Sequence, residues 1–154
     1  MRITAGILFI LLIAGLMACG GRAPATPTDT FKAYVKASQK KDYTAMKQRL
    51  SAATIKMHQQ EAKAQGMTVD DIIKQDPILA EGQRTVEYRN EKIEEDKATL
   101  QYKTSYGSWE TLAFVREGGA WKIDKQATMD KMLQDMDESN RKLDEAIRGI
   151  TPLY

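Results

Sequence analysis

The chain has 154 residues, 42% of them hydrophobic and 29% charged, with a formal net charge of +2, one cysteine and one histidine. So balanced a charge excludes a nucleic-acid footprint as the first reading. A lone cysteine excludes an internal disulfide, and one histidine without a thiol cluster excludes the usual zinc spacings, so no metal and no other cofactor is expected.

Residues 1–18 differ in composition from everything after them. Arg2 supplies a short positive start, Ile7 to Ile13 is uninterrupted apolar sequence, and the stretch from Ile3 to Met17 is uncharged. That is shorter than the ~18 or more apolar residues a bilayer span needs, so it reads as a signal peptide. The residues that close it, Leu16-Met17-Ala18-Cys19, resemble the lipobox of bacterial lipoproteins: Leu16 stands three before the cysteine and the small Ala18 just before it, with Met17 a less usual middle residue. The resemblance implies cleavage between Ala18 and Cys19, a diacylglyceryl group on the Cys19 sulfur and a further acyl chain, such as palmitate, on the new amino terminus. Each buried methylene contributes about 0.8 kcal/mol, so two or three chains form an effectively permanent membrane anchor. Residues 19–25 are then the lipidated cysteine and its tether, whose extended reach is on the order of 20 Å, which keeps the domain beside the membrane. Gly20, standing where a retained lipoprotein would carry Asp, implies the periplasmic face of the outer membrane in a diderm host.

Residues 26–126 are expected to form one α+β domain. Thr26-Pro27-Thr28-Asp29 offers a hydroxyl cap, a proline at the first helical position and an early acid, and Phe31, Tyr34, Val35 and Ser38 follow on one face of a helix ending near Lys40. Asp42 caps a second helix with Tyr43, Met46 and Leu50 inward, and Ser51 opens a third that runs to Gln65 and stops at Gly66. Thr68-Val69-Asp70-Asp71 repeats the capping pattern for a short helix carrying Ile72 and Ile73, broken before Pro77.

The period then changes to two. Thr85 to Arg89 alternates as a first strand, Glu94-Glu95-Asp96 is a turn, and Ala98, Leu100, Tyr102 and Thr104 share one face of a second strand. In the third, Trp109 to Arg116, apolar residues occupy both faces: Trp109, Ala113 and Val115 on one, Leu112 and Phe114 on the other. That marks a central strand covered on both sides. Glu117-Gly118-Gly119-Ala120 makes a hairpin turn into Trp121-Lys122-Ile123-Asp124.

Residues 127–154 form a long C-terminal helix and tail. Met129, Met132, Met136, Leu143 and Ile147 mark its stripe, continued by Ser139 and Ala146, and it ends near Gly149 and Pro152. Packing across the outer face of the sheet is favoured over pairing with the same helix of a second copy, because no sustained charge pattern sets a register.

Helices followed by an antiparallel sheet of about four strands, with Thr26-Pro27, Thr30-Phe31-Lys32-Ala33-Tyr34, Lys41-Asp42-Tyr43, Leu50-Ser51, Glu61 to Met67 and Gly118-Gly119-Ala120-Trp121-Lys122-Ile123 in that order, resemble the nuclear-transport-factor-2-like superfamily. The resemblance is to small bacterial lipoproteins with a cystatin-like cone and covers residues 26 to about 126. It implies helices packed into a curved sheet with an apolar cavity at the open end. Some members bind hydrophobic ligands or run isomerisation, hydration or cyclisation there, and others serve only in protein association. The C-terminal helix departs from the pattern.

The residues placed against that cavity are Tyr34, His58, Tyr88, Tyr102, Trp109 and Trp121, with core packing the expected role of the tyrosines and tryptophans. No carboxylate at an obvious spacing orients the His58 ring. Isomerase-like relatives use an Asp and a Tyr, and Asp124 is present, but no motif transfers a role to it. Asp70-Asp71 and Glu94-Glu95-Asp96 lack the ligand alternation of a calcium loop. No catalytic set converges, so the expected function is a lipid-anchored envelope protein whose domain binds a partner protein or a small apolar ligand, with a homodimer through the C-terminal helix as a further possibility. The alternative is a small acid-base enzyme in which Asp124, His58 or a tyrosine acts inside the cone.

Overall fold

The computed structural model describes residues 26–75, 78 and 85–150. The signal segment with Ala18 and Cys19, the tether, Pro77 and Pro152 lie outside the described residues. The elements run α1 (Pro27–Gln39), α2 (Tyr43–Lys47), α3 (Ala52–Gln65), α4 (Val69–Gln75), β1 (Tyr88–Glu94), β2 (Lys97–Lys103), β3 (Trp109–Glu117), β4 (Ala120–Ile123) and α5 (Lys125–Ile150). The class is α+β: helices, then a four-stranded antiparallel sheet in the order β1-β2-β3-β4, then a long helix.

Short polar side chains start the helices by taking backbone donors that no helical carbonyl can reach. The Asp29 N–H donates to Thr26 Oγ1 at 3.0 Å, the Ala45 N–H to Asp42 Oδ1 at 2.9 Å, and the Thr54 N–H to Ser51 Oγ at 3.0 Å. Gly66 ends α3 in the left-handed region at φ 67°, where its N–H reaches the Ala62 carbonyl.

The sheet buries one face. Ala98, Leu100 and Tyr102 of β2, Leu112 and Phe114 of β3, and Trp121 and Ile123 of β4 pack against Phe31, Tyr34 and Ala37 of α1, Met46 of α2, Leu50 and Ile73. Alternation on β2 and β3 matches the sequence pattern, with Thr99, Ala113 and Val115 on the outer face.

The first strand is a correction. It lies at Tyr88–Glu94, displaced toward the C-terminus from the expected Thr85–Arg89, and every residue in it is exposed. Among the described residues it is an edge strand paired with β2 alone, and its register shifts between Arg89 and Lys92, where Asn90 has φ 54°. Charged, bulged edges resist pairing with other chains and carry no hydrophobic alternation to read.

The C-terminal helix is a second correction. Its first turn packs on β3 and α3, but Met129, Met132, Leu133, Met136, Leu143 and Ile147 are 50% to 64% exposed. The stripe does not lie flat across the outer face. The reason sits at Ala113. Strand β4 ends at Ile123 and stops short of it, so the Asp124 N–H donates to the Ala113 carbonyl at 2.9 Å and the Ala113 N–H donates to Thr128 Oγ1 at 2.9 Å. The helix begins on this tie and runs on beyond the sheet.

Candidate functional site

Two grooves flank the start of α5 on the outer face of the sheet. The larger, about 520 Å³, lies between Glu110, Thr111 and Ala113 of β3 and Thr128, Lys131, Met132, Asp135, Met136, Ser139 and Asn140 of α5. The second, about 460 Å³, is lined by Lys92, Glu94, Lys97, Thr99, Val115, Asp124 and Ala127 among others, and shares Ala113 and Lys131 with the first. Methionines on the helix side and small residues on the strand side make the larger groove an apolar slot with charged rims. Unbranched methionine side chains adapt to irregular partners, which suits a binding surface.

The side chains expected around a cavity are mostly spent on structure. Tyr34 and Trp121 are buried in the core, and Tyr102 is buried with its hydroxyl donating to Glu110 Oε2 at 2.8 Å. Tyr88 is exposed, with its ring edge-on to Phe31 at 6.2 Å, while the Tyr102 ring meets Phe31 at 5.8 Å. Trp109 lies under the Arg89 guanidinium at 3.8 Å, and Trp121 under that of Arg116 at 4.6 Å. Such stacking holds a surface cation over an aromatic ring. None of these aromatic residues lines either groove.

His58 is 1% exposed, with its Nδ1 3.7 Å from Glu61 Oε2. Glu61 therefore stands near the ring, at a distance longer than a hydrogen bond. The signal was the three-residue spacing, which places Glu61 on the same helical face as His58. Asp124 caps α5 by accepting the Ala127 N–H at Oδ1, 3.1 Å away, as well as lining the smaller groove.

Asp71 and its neighbours form a cap and not a cation site. Thr68 donates to the Asp71 carboxylate from both its hydroxyl and its N–H, and Lys74 Nζ lies 2.9 Å away. The Thr68 hydroxyl, followed by Lys74, lowers the Asp71 carboxyl to about 2. The same pairing raises Lys74. Among the described residues no cluster of three or more potential metal-ligating side chains occurs.

The groove residues Thr111, Lys131, Asp135 and Asn140 carried no individual signal in the sequence. Their role appears only once α5 is seen to rise from the sheet, because Met132 and Met136 read equally well as core. Among the described residues no helix is long and apolar enough to cross a membrane. No protein-family model, no curated protein and no solved structure matches this chain.

Proposed function

We propose that this protein is a lipid-anchored component of a bacterial cell envelope with a non-catalytic binding domain. Acyl chains on Cys19 supply the membrane attachment, and the outer sheet face with α5 receives a partner protein or a small apolar ligand. The observation that carries the binding role is the half-exposed methionine and leucine stripe of α5 beside an apolar groove. A helix that leaves such a stripe uncovered has a surface fit for a second molecule. The order of four helices and four antiparallel strands supports the nuclear-transport-factor-2-like reading, with the binding surface on the outer face in place of the cone interior.

The anchor is supported by Leu16, Ala18 and Cys19 and by the position of α1, which begins at Pro27, eight residues after the cysteine. So short a tether holds the domain at the membrane surface. Growth of a bacterial host expressing the full chain with labelled palmitate tests this. The wild-type protein should take up label and Cys19→Ala should not. An unlabelled wild type, or label retained by the variant, would overturn the anchor.

A further inference from the structure

The proposed binding role leaves the partner unnamed, and the residues of α5 point to one. The inference rests on the α5 face being the binding surface and is independent of the lipid anchor. Met129, Met136 and Leu143 recur at intervals of seven, and Met132, Ser139 and Ala146 follow each of them by three. That is a helix-pairing seam. Its large members are half-exposed, and the groove against the sheet ends at Asn140, so the seam runs past the body of the domain.

Two charges decide its direction. Asp135 and Lys142 flank the seam on the same side, seven residues apart. A parallel pair sets Asp135 across from Asn140 and Lys142 across from Ile147, with no ion pair, and stacks Ser139 on Ser139. An antiparallel pair centred between Asp137 and Glu138 sets Asp135 of each copy across from Lys142 of the other. The same register layers Met129 on Ala146, Met132 on Leu143 and Met136 on Ser139, so two of the three layers match a large side chain with a small one. In the single chain Asp135 pairs with Lys131 at 3.3 Å and Lys142 with Glu138 at 2.7 Å, both as exposed pairs that exchange easily.

We propose that α5 pairs antiparallel with α5 of a second copy of this chain, in the register set by Asp135 and Lys142. The two-fold axis then crosses the helices at mid-length, an arrangement in which both copies can stand on one membrane.

Cysteine crosslinking in membranes of cells co-expressing full-length Met132→Cys and full-length Leu143→Cys tests the register. After mild oxidation, mass spectrometry of the joined peptides should show position 132 of one copy bonded to position 143 of the other. Bonds between identical positions as the main product would establish a parallel pair and overturn the proposal. So would the lack of any bond at these positions in variants whose circular dichroism matches the wild type. Adding Asp135→Lys to both chains should cut the yield several-fold, and adding Lys142→Asp as well should restore it. A yield indifferent to these charges would overturn the register. Palmitate labelling reads the anchor separately, so failure of the pairing and failure of the anchor are distinguishable.

Discussion

Thr54 and Lys125 join the helical half of the chain to its C-terminal helix: the Lys125 N–H donates at 2.9 Å to the Oγ1 of the fully buried Thr54. The same hydroxyl donates to the Ile123 carbonyl at 3.3 Å and accepts from Ser51 Oγ at 2.9 Å. One side chain on the first turn of α3 therefore ties the end of β4 and the start of α5. Thr54→Val keeps the shape and removes all three bonds, which should lower stability by about 1 to 3 kcal/mol because buried groups are left unsatisfied. Thr54→Ser should retain most of the stability. Denaturant midpoints for the two variants check this.

Phe31 is the centre of the aromatic contacts, meeting both Tyr88 and Tyr102 and lying almost wholly buried. Phe31→Ala removes a large core side chain and both ring contacts, and should cost about 3 to 5 kcal/mol. Tyr88→Ala, at an exposed edge position, should cost far less. Thermal unfolding of the two variants measures the difference.

Gly66 holds φ 67°, with open space where a Cβ would stand. Only the left-handed backbone opposes a side chain there, so Gly66→Ala should destabilise by about 1 to 2 kcal/mol with no change in packing. Gly66→Asn should cost less than Gly66→Ala, since asparagine tolerates this conformation.

The start of α4 should respond to acid. The Asp71 carboxyl titrates at about 2, below its ordinary 3.8, because Thr68 and Lys74 favour its charged form. A depressed carboxyl contributes its stability in full above the unfolded value and loses it as pH falls through the folded one. The protection of α4 amides, taken relative to their intrinsic exchange rates, should therefore fall between about pH 4 and pH 2, and Asp71→Asn should remove that dependence. An Asp71 carboxyl resonance that titrates near its ordinary value would contradict the pairing.

The helical half was legible in the sequence because its boundaries are chemical. Thr26, Asp42, Ser51 and Gly66 each satisfy a helix end, and each stands where expected. Strands β2, β3 and β4 were legible through alternation, since one face must be buried. Strand β1 lies beyond the alternating stretch Thr85–Arg89 because a charged edge needs no apolar face. The course of α5 was not legible, since an apolar stripe does not say what covers it. The sequence pattern marks Met132 and Met136, but it does not show the tie of Asp124 and Thr128 to Ala113 from which the helix starts. The expected aromatic residues turned out to be occupied in packing and cation stacking, while the grooves are built from smaller and charged residues that no motif marks.

The most direct measurement on the central claim is the mass of the amino-terminal peptide of the full chain, extracted from membranes of a bacterial host. The account predicts a peptide beginning at Cys19 and carrying a diacylglyceryl group on its sulfur, with or without a further acyl chain on its amino group. A peptide running unbroken from Met17 through Ala18 into Cys19, or one beginning at Cys19 with a free thiol, would contradict it.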